Sequence, residues 1–301
     1  MAAVADQPAD AVVRLAWADW LEEQGQPERA ELLRLRQGLI AEIGGPRRRQ
    51  REARLRELLD AGVEPPAVRR AVVIGKEKLE LVLVPPGTFL MGSPEKEPDR
   101  EDCEGPQLAV TLPHGLWVPR VPITQGQWKA GTGHNPSCFR GIKQRLPVES
   151  VDWDMAVDFC ARLSERTGEA FRLPAEAEWE YACRAGTTTA FHFGKTLTAD
   201  QAVIDTPHPQ QVGQYPPNAF GLHDMHGCIC EWCLDSATVG DNWTPDRPPT
   251  WPPNRRKAEG QVLRGGFWYS IARNCRSASR SSAPPDHGGT RCGCRPVVTA
   301  G

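Results

Sequence analysis

The first sixty residues carry apolar side chains at the spacing of amphipathic helices. Gly25 followed by Pro27, and later Gly44-Gly45-Pro46, divide this stretch into three predicted helices. The expected buried stripes are, in chain order, Val13, Trp17, Trp20 and Leu21, then Leu32, Leu35, Leu39 and Ile43, then Leu55, Leu58 and Leu59. Residues 1–62 are therefore predicted to form a helical module, which we interpret as an adaptor whose own partner is unknown.

From Lys78 the apolar period changes from that of a helix to that of a strand. Leu79, Leu81 and Leu83 alternate with other side chains, and shorter runs at 88–92, 108–112 and 117–123 predict further strands. Two helices interrupt them, one from Ala175 to Arg184 and an earlier one whose buried face holds Ala156, Phe159, Cys160 and Leu163. We expect an α+β domain at residues 78–297, a linker at 63–77, and a surface insertion from Thr238 to Gln261.

Charge excludes some classes of partner. The formal net charge is -2, and Glu52 and Glu57 interleave with the arginines from Arg47 to Arg56, so we expect a solvated helix face there and no nucleic-acid partner. No apolar run reaches the roughly 18 residues of a membrane span. The first residues carry acidic side chains and no basic segment typical of a secretory signal, so a cytoplasmic location is expected.

Several motifs in fixed order resemble the formylglycine-generating enzyme (sulfatase-modifying factor) family. The resemblance covers roughly residues 78–297 and implies a C-type-lectin-like α+β fold with short twisted sheets, two helices and long loops. The matching segments are Val84 to Ser93, Glu104 to Gln107, Pro147 to Glu149, Arg172 to Ala182, Asn218 to Leu222, Glu231-Trp232, Arg264 to Gly266 and Gly293 to Arg295.

The resemblance implies a copper site, because active members of that family hold copper with two cysteines five residues apart. The corresponding positions here are Ser270 and Cys275. A hydroxyl is a poor ligand for Cu(I), so the pair is incomplete, and a role for Cys275 in catalysis belongs to an alternative hypothesis, a copper-dependent oxidase of protein cysteine. A related branch uses iron held by histidines on an added helical domain, and the helical module here contains no histidine.

The calcium site that the resemblance implies is also altered. Family members supply asparagine and glutamate oxygens where this chain has Gly227-Cys228-Ile229-Cys230-Glu231-Trp232, and calcium prefers oxygen ligands. Cys228, Cys230, Glu231 and Cys233 are weak candidates for a zinc site, although their spacing is not a standard one. Six of the ten cysteines follow residue 227, and we expect reduced thiols, with a single disulfide as the alternative. No cofactor is expected.

The segment from Arg264 to Arg295 contains two interleaved sets of residues. One set matches the family, and within it we expect Arg264, Trp268, Arg273 and Arg276 to be scaffold. The other set, called here the interleaved residues, follows no periodicity of burial or charge. Its members are Phe267, Tyr269, Ser270, Ile271, Asn274, Ser279, Ser281, Ser282, His287, Gly289, Thr290 and Cys292.

All interleaved residues can be reached from the asparagine codon AAC by changing its adenines, and Lys, Glu, Gln, Met and Trp, which cannot, are missing from the set. This pattern resembles the variable protein of a diversity-generating retroelement; ordinary divergence within the family is the alternative. We therefore predict a non-catalytic protein that binds a protein or glycan ligand through the interleaved residues, with Phe267, Tyr269 and Ile271 at the apolar centre.

Overall fold

The computed structural model describes residues 10–140, 145–237 and 260–300. Most of the predicted insertion, residues 238–259, lies outside the described residues, and Gly260 and Gln261 already begin a strand. Within the described part of the chain, no helix has the length and apolar character needed to cross a membrane.

The three predicted N-terminal helices are present. They are α1 (Ala11–Glu23), α2 (Pro27–Ala41) and α3 (Pro46–Asp60). The Asp10 side chain accepts a hydrogen bond from the Val12 amide at 2.7 Å and so caps α1, while prolines occupy the first turns of α2 and α3. Trp17 is 7% exposed, as expected, but Trp20 is 49% exposed and does not belong to the buried stripe.

The helical module packs directly on the rest of the chain. Leu39, Ile40 and Leu55 share one apolar cluster with Tyr181 and Val84. A helix in this setting gains most of its stability from packing of its apolar face, so the module is part of one common core.

The predicted solvated face of α3 is wrong for two of its charged residues. Arg48 and Glu52 are 5% and 3% exposed and are paired at 3.0 Å. Arg48 also donates to the carbonyl of Gly186 at 2.6 Å, and Glu52 accepts from the Thr188 hydroxyl at 2.8 Å. These bonds fix the module on the loop that follows the last helix, so the face is an internal contact.

In the described part of the chain, the strands form three sheets. The strands are β1 (Arg69–Ile74), β2 (Glu77–Val84), β3 (Gly87–Met91), β4 (Leu108–Leu112), β5 (Leu116–Pro119), β6 (Cys230–Ala237), β7 (Gly260–Arg264), β8 (Arg280–Ala283), β9 (Cys292–Gly293) and β10 (Val298–Thr299). The first sheet has the order β1-β2-β5-β10, the second pairs β3 with β4, and the third has the order β8-β7-β6-β9, in which β6 and β9 are parallel.

Strand β1 lies inside the segment 63–77 that the sequence predicted as a linker. It pairs antiparallel with β2 in continuous register from Arg69 opposite Val82 to Ile74 opposite Glu77. The linker prediction is therefore wrong for residues 69–74, which are the edge strand of the first sheet.

Among the residues that the structure describes, three helices cover the sheets: α4 (Gln125–Thr132), α5 (Trp153–Thr167) and α6 (Glu176–Arg184). Both predicted helices are confirmed, and the predicted face of α5 is buried. At the start of α6, Glu178 accepts from the Ala175 amide at 2.8 Å and pairs with Arg172 at 2.6 Å. The mixture of helices and small sheets confirms the expected α+β class.

Candidate functional site

Buried arginines bind the loop that joins β7 to β8 to the body of the protein. Arg264, which is 1% exposed, donates to the carbonyls of Ala278 and Ser277 at 2.8 and 2.7 Å, and it pairs with Glu180 of α6 at 2.5 Å. Its guanidinium also lies 5.4 Å from the ring centre of Trp179. One side chain thus anchors the returning end of the loop to the helix beneath it.

A second arginine fixes the middle of the same loop. Arg276 is 3% exposed and bonds both carboxylate oxygens of Glu104, at 2.7 and 2.5 Å. It also reaches Glu97 at 2.8 Å and the carbonyl of Asp99 at 2.7 Å. Bidentate pairing of this kind sets direction as well as distance, so the loop is tied in a defined orientation to the segment before β4.

The turn into the loop requires glycine at position 266. Its φ is +72°, and a Cβ added there would lie 2.4 Å from the sulfur of Cys275. A side chain would meet both backbone strain and a collision. Trp268, two residues later, is 9% exposed and donates its backbone amide to the carbonyl of Cys228 at 3.0 Å.

On this support, most interleaved residues reach the surface. Tyr269 is 63% and Ile271 is 49% exposed, and both follow Trp268 on the loop. The exposed members are Tyr269, Ile271, Asn274, Ser281, Ser282 and Thr290, and the half-buried ones are Phe267, Ser279, His287 and Gly289. Phe267, Tyr269 and Ile271 together form an apolar patch, and Phe267 is its inner edge because it contacts two of the buried apolar clusters.

A groove of about 570 Å³ lies beside this patch. Gly265 and Gly266 contribute backbone to its wall, and Leu263 and Cys230 contribute apolar surface. The interleaved residues in its lining are Phe267, Ser270, Asn274, Ser279, Ser281 and Ser282. Predicted ligand-binding residues from separate parts of the loop and from β8 are thus brought to one concave surface.

Two interleaved residues do not fit the prediction of a surface role. Ser270 is 4% exposed, and its hydroxyl accepts from the Phe267 amide at 3.1 Å, so it closes the turn. Cys292 is fully buried opposite Cys230 in the pairing of β9 with β6. Conversely, Arg273, predicted as scaffold, is exposed, whereas Arg264, Trp268 and Arg276 are buried as predicted.

His287, Gly289 and Thr290 lie apart from the groove lining. The backbone at Gly289 is structural, because its carbonyl accepts hydrogen bonds from the amides of Ser150 and Cys292 at 3.2 and 3.0 Å. The side chains of His287 and Thr290 remain accessible. They extend the candidate surface beyond the groove without lining it.

Cys275 and Ser270 provide a donor set that does not fit copper. The Cys275 sulfur is buried under Gly266, and burial raises the pKa of its thiol to about 12, with a smaller opposing effect of the hydrogen bond to Ser270. One protonated thiol and one hydroxyl lack the paired thiolates that a soft Cu(I) ion prefers. The residues present therefore do not fit copper.

The three cysteines proposed as weak zinc ligands point into different parts of the core. Cys230, Cys233 and Cys228 belong to three separate apolar clusters, and burial raises the pKa of each thiol well above its ordinary value. Among the residues that the structure describes, no three His, Cys, Asp or Glu side chains are arranged to hold a metal. All ten cysteines are free thiols.

The carboxylate that would serve the implied calcium site already has partners within the protein. Glu231 accepts from Arg295 at 2.9 and 3.1 Å and from the Trp179 indole at 2.6 Å. Cys228 offers sulfur where an oxygen ligand is needed. The residues present therefore do not fit calcium.

Sequence reasoning missed part of the groove. Glu101 and Cys103 come from the segment before β4, about 160 residues before β7, and Arg291 comes from the turn into β9. No local pattern marks the first two, because contacts with residues far along the chain, such as those of Arg276 to Glu97 and Glu104, bring their segment to the groove. Arg280, part of the family frame, also lines the groove and donates to the Cys103 carbonyl at 3.2 Å.

Residues 75–300 match the model of the sulfatase-modifying factor enzyme 1-like domain. The chain is 28% identical over 255 residues to the serine/threonine-protein kinase pkn1 of Chlamydia pneumoniae, covering 74% of this chain but 39% of the relative. It is 29% identical over 219 residues to the formylglycine-generating enzyme of Thermomonospora curvata, covering 64% of this chain and 68% of that enzyme. The chain thus spans about two fifths of the length of the kinase relative.

Among solved structures, Treponema denticola variable protein 1 superposes with a TM-score of 0.66 at 24% identity, covering 77% of this chain and 99% of that protein. The similarity confirms the expected C-type-lectin-like fold. Relatives that share this domain include proteins named as enzymes, and the fold is shared with a variable protein, so family membership is compatible with both an oxidase and a binding protein.

Proposed function

The chain belongs to the sulfatase-modifying factor enzyme 1-like domain family, and on that premise we propose that it is a non-catalytic ligand-binding protein whose interleaved residues form a diversified surface. The ligand is a protein or a glycan that contacts the groove and the exposed patch beside it. The patch consists of Phe267, Tyr269 and Ile271.

The observation that carries this proposal is the segregation of neighbouring residues by burial. Trp268 is buried while Tyr269 beside it is 63% exposed, and Cys275 is buried while Asn274 beside it is exposed. Most residues that match the family supply the supports, and most interleaved residues supply the surface; Ser270 and Cys292, which are buried, and Arg273, which is exposed, are the exceptions. A surface that varies on a fixed scaffold needs this separation, because substitutions at exposed positions change stability little.

The chemistry of the surface suits recognition. Tyr269 and Ile271 offer large apolar contacts with few rotatable bonds, and the serines and Asn274 around the groove offer hydrogen bonds that adapt to different partners. Binding energy in interfaces concentrates in such central anchors, with the polar rim contributing orientation.

A matched pair of libraries tests the proposal. The first library randomises the codons of exposed interleaved residues, which are Tyr269, Ile271, Asn274, Ser281 and Ser282. The second library randomises the codons of buried residues that match the family, which are Arg264, Trp268, Cys275, Arg276 and Ala278. We expect most members of the first library to fold with nearly unchanged melting temperature and to yield binders to an arbitrary protein target by selection. Widespread unfolding in the first library, or a fold that survives equally in both, contradicts the proposal.

The alternative function, oxidation of a protein cysteine with copper, is supported by the similarity to formylglycine-generating enzymes. Its test is direct: stoichiometric Cu(I) binding that is lost in Cys275→Ser, together with oxygen uptake and turnover of a cysteine peptide. The donor set of Cys275 and Ser270 leads us to expect neither.

A further inference from the structure

A cavity of about 400 Å³ lies between the helical module and the loops that follow α6. It shares no lining residue with the groove. Arg56, Leu59 and Val63 line it from the module, and His192 and Phe193 line it from the facing loop. Cavities of roughly 300–1,000 Å³ with mostly apolar walls are typical of small-molecule sites.

His192 is the first feature that indicates a ligand. Its side chain is 4% exposed, and within the described part of the chain neither ring nitrogen makes a hydrogen bond. Its ring stacks on that of His226 with centroids 4.9 Å apart, and its backbone amide donates to the Nε2 atom of His226 at 3.2 Å. Burial, with a smaller contribution from His226, holds the pKa of His192 well below its ordinary value. A neutral imidazole offers one donor and one acceptor, and a molecule in the cavity can use them.

The charge balance around Arg56 is the second feature. Glu52 lies between Arg48, at 3.0 Å, and Arg56, at 3.6 Å, so one carboxylate faces two guanidinium groups. The Nη1 atom of Arg56 makes no hydrogen bond within the described residues. Arg56 therefore shares one carboxylate with Arg48 and keeps an unused hydrogen-bond donor.

Two acidic residues, Asp60 and Glu64, also line the cavity. Glu64 pairs with Arg69 at 2.8 Å, and Asp60 is an exposed residue at the end of α3. Apart from Gln201, the remaining lining is apolar, and it includes Phe193, Pro216 and Pro217. The cavity therefore combines a cation, a neutral hydrogen-bonding ring and planar apolar surfaces.

We propose that this cavity binds a small aromatic carboxylate, whose carboxylate group bonds Arg56 and His192 and whose ring lies against Phe193 and the prolines. The site is independent of the ligand-binding function assigned to the groove. The helical module has a role in it, because its third helix supplies the cation.

The proposal is tested on the full chain with ¹⁵N-labelled histidine and 2-naphthoate as the probe. We expect a saturable shift of the His192 ring nitrogens, assigned among the seven histidines with a His192→Phe variant. Arg56→Gln removes the charged donor and should weaken binding about tenfold or more. The control is Arg54→Gln, an exposed residue of the same helix that pairs with Glu31 at 2.8 Å, and it should leave the affinity unchanged.

Absence of a saturable shift at His192, or equal affinity in wild type and a folded Arg56→Gln variant, overturns the proposal. If Arg56→Gln unfolds, Leu59→Trp serves instead, because it narrows the cavity and changes no charge. Loss of naphthoate binding in Leu59→Trp supports the site. Retained binding in that variant, or binding that is lost only when Ile271 beside the groove is changed to Asp, overturns it.

Discussion

Arg276 links the candidate surface to the body of the protein, and its replacement by methionine tests whether the loop depends on that link. Methionine keeps an unbranched apolar stem and removes the guanidinium. The change leaves Glu104, which is 4% exposed, without the two hydrogen bonds of 2.7 and 2.5 Å that balance its charge. It also removes the bonds to Glu97 and to the Asp99 carbonyl.

The size of the effect follows from the burial of both partners. Breaking a buried ion pair from one side costs about 3–5 kcal/mol, because the other charge stays buried without compensation. We therefore expect Arg276→Met to lower the free energy of unfolding by about 3–5 kcal/mol. The matched control is Arg273→Met, an exposed arginine of the same loop, for which a change within about 0.5 kcal/mol is expected.

The pH dependence of the stability difference tests the same prediction in a second way. Burial raises the pKa of Glu104, but the hydrogen bonds from Arg276 and Ser93, together with the positive charge of Arg276, more than offset it, so the pKa lies below its ordinary value. The stabilisation is thus complete at neutral pH and is lost as the pH falls through the folded-state pKa. In Arg276→Met the hydrogen bonds and the positive charge of Arg276 are lost, whereas the cost of burying the Glu104 carboxylate stays, so protonation of Glu104 reduces that cost. The deficit of the variant should therefore be smaller at pH 4 than at pH 7, because the ordinary pKa of a glutamate is about 4.3.

Urea denaturation followed by tryptophan fluorescence at pH 7 and pH 4 measures these differences. Equal destabilisation by Arg276→Met and Arg273→Met would refute the argument that buried frame arginines hold the loop. So would a deficit in Arg276→Met that grows on acidification.

Three further predictions follow from the same contacts. Arg48→Gln removes the ion pair of 3.0 Å with Glu52 and the hydrogen bond to the Gly186 carbonyl, so amide hydrogen exchange in α1–α3 should become faster. The control Arg49→Gln changes an exposed residue of the same helix and should exchange like wild type. Gly266→Ala should lower the free energy of unfolding by more than about 1 kcal/mol, because φ is +72° and the added carbon would lie 2.4 Å from the Cys275 sulfur. The control Gly288→Ala should cost less, since the nearest atom to its added carbon is 3.4 Å away. A lower melting temperature for Gly288→Ala than for Gly266→Ala would contradict this prediction. A thiol-reactive disulfide reagent should label the exposed Cys103 and Cys138 quickly and Cys275 only on unfolding, because Cys275 is buried and burial raises the pKa of its thiol to about 12. Mass spectrometry identifies the labelled cysteines. Rapid labelling of Cys275 in the folded protein would contradict the prediction.

Periodic segments could be read from the sequence, and segments whose structure depends on distant partners could not. Helix α5 is confirmed because its apolar face repeats at helical spacing over fifteen residues. Helix α4 was missed since its eight residues include two glycines, and its stability comes from the Thr124 and Gln127 capping box and from Trp128 packed on Phe159. The edge strand β1 begins with two arginines and looked like a linker.

The candidate site shows the same division. The interleaving of two residue sets was visible in the sequence and predicted most of the exposed positions. The burial of Ser270 and Cys292 was not, because it depends on the turn at Phe267 and on the pairing of β9 with β6. Arg48 and Glu52 looked like a solvated face because their partners at Gly186 and Thr188 lie 138 and 136 residues further along the chain.

The most direct test of a diversified surface is the sequence of the locus that encodes this chain. The account predicts a neighbouring reverse transcriptase gene and a near-copy of the 264–295 coding segment that is rich in AAC codons. Differences between copy and gene should fall at adenines of the copy, within the codons of the interleaved residues. A locus with neither feature, or a copy whose differences fall equally in the codons of Arg264, Trp268 and Arg276, contradicts it.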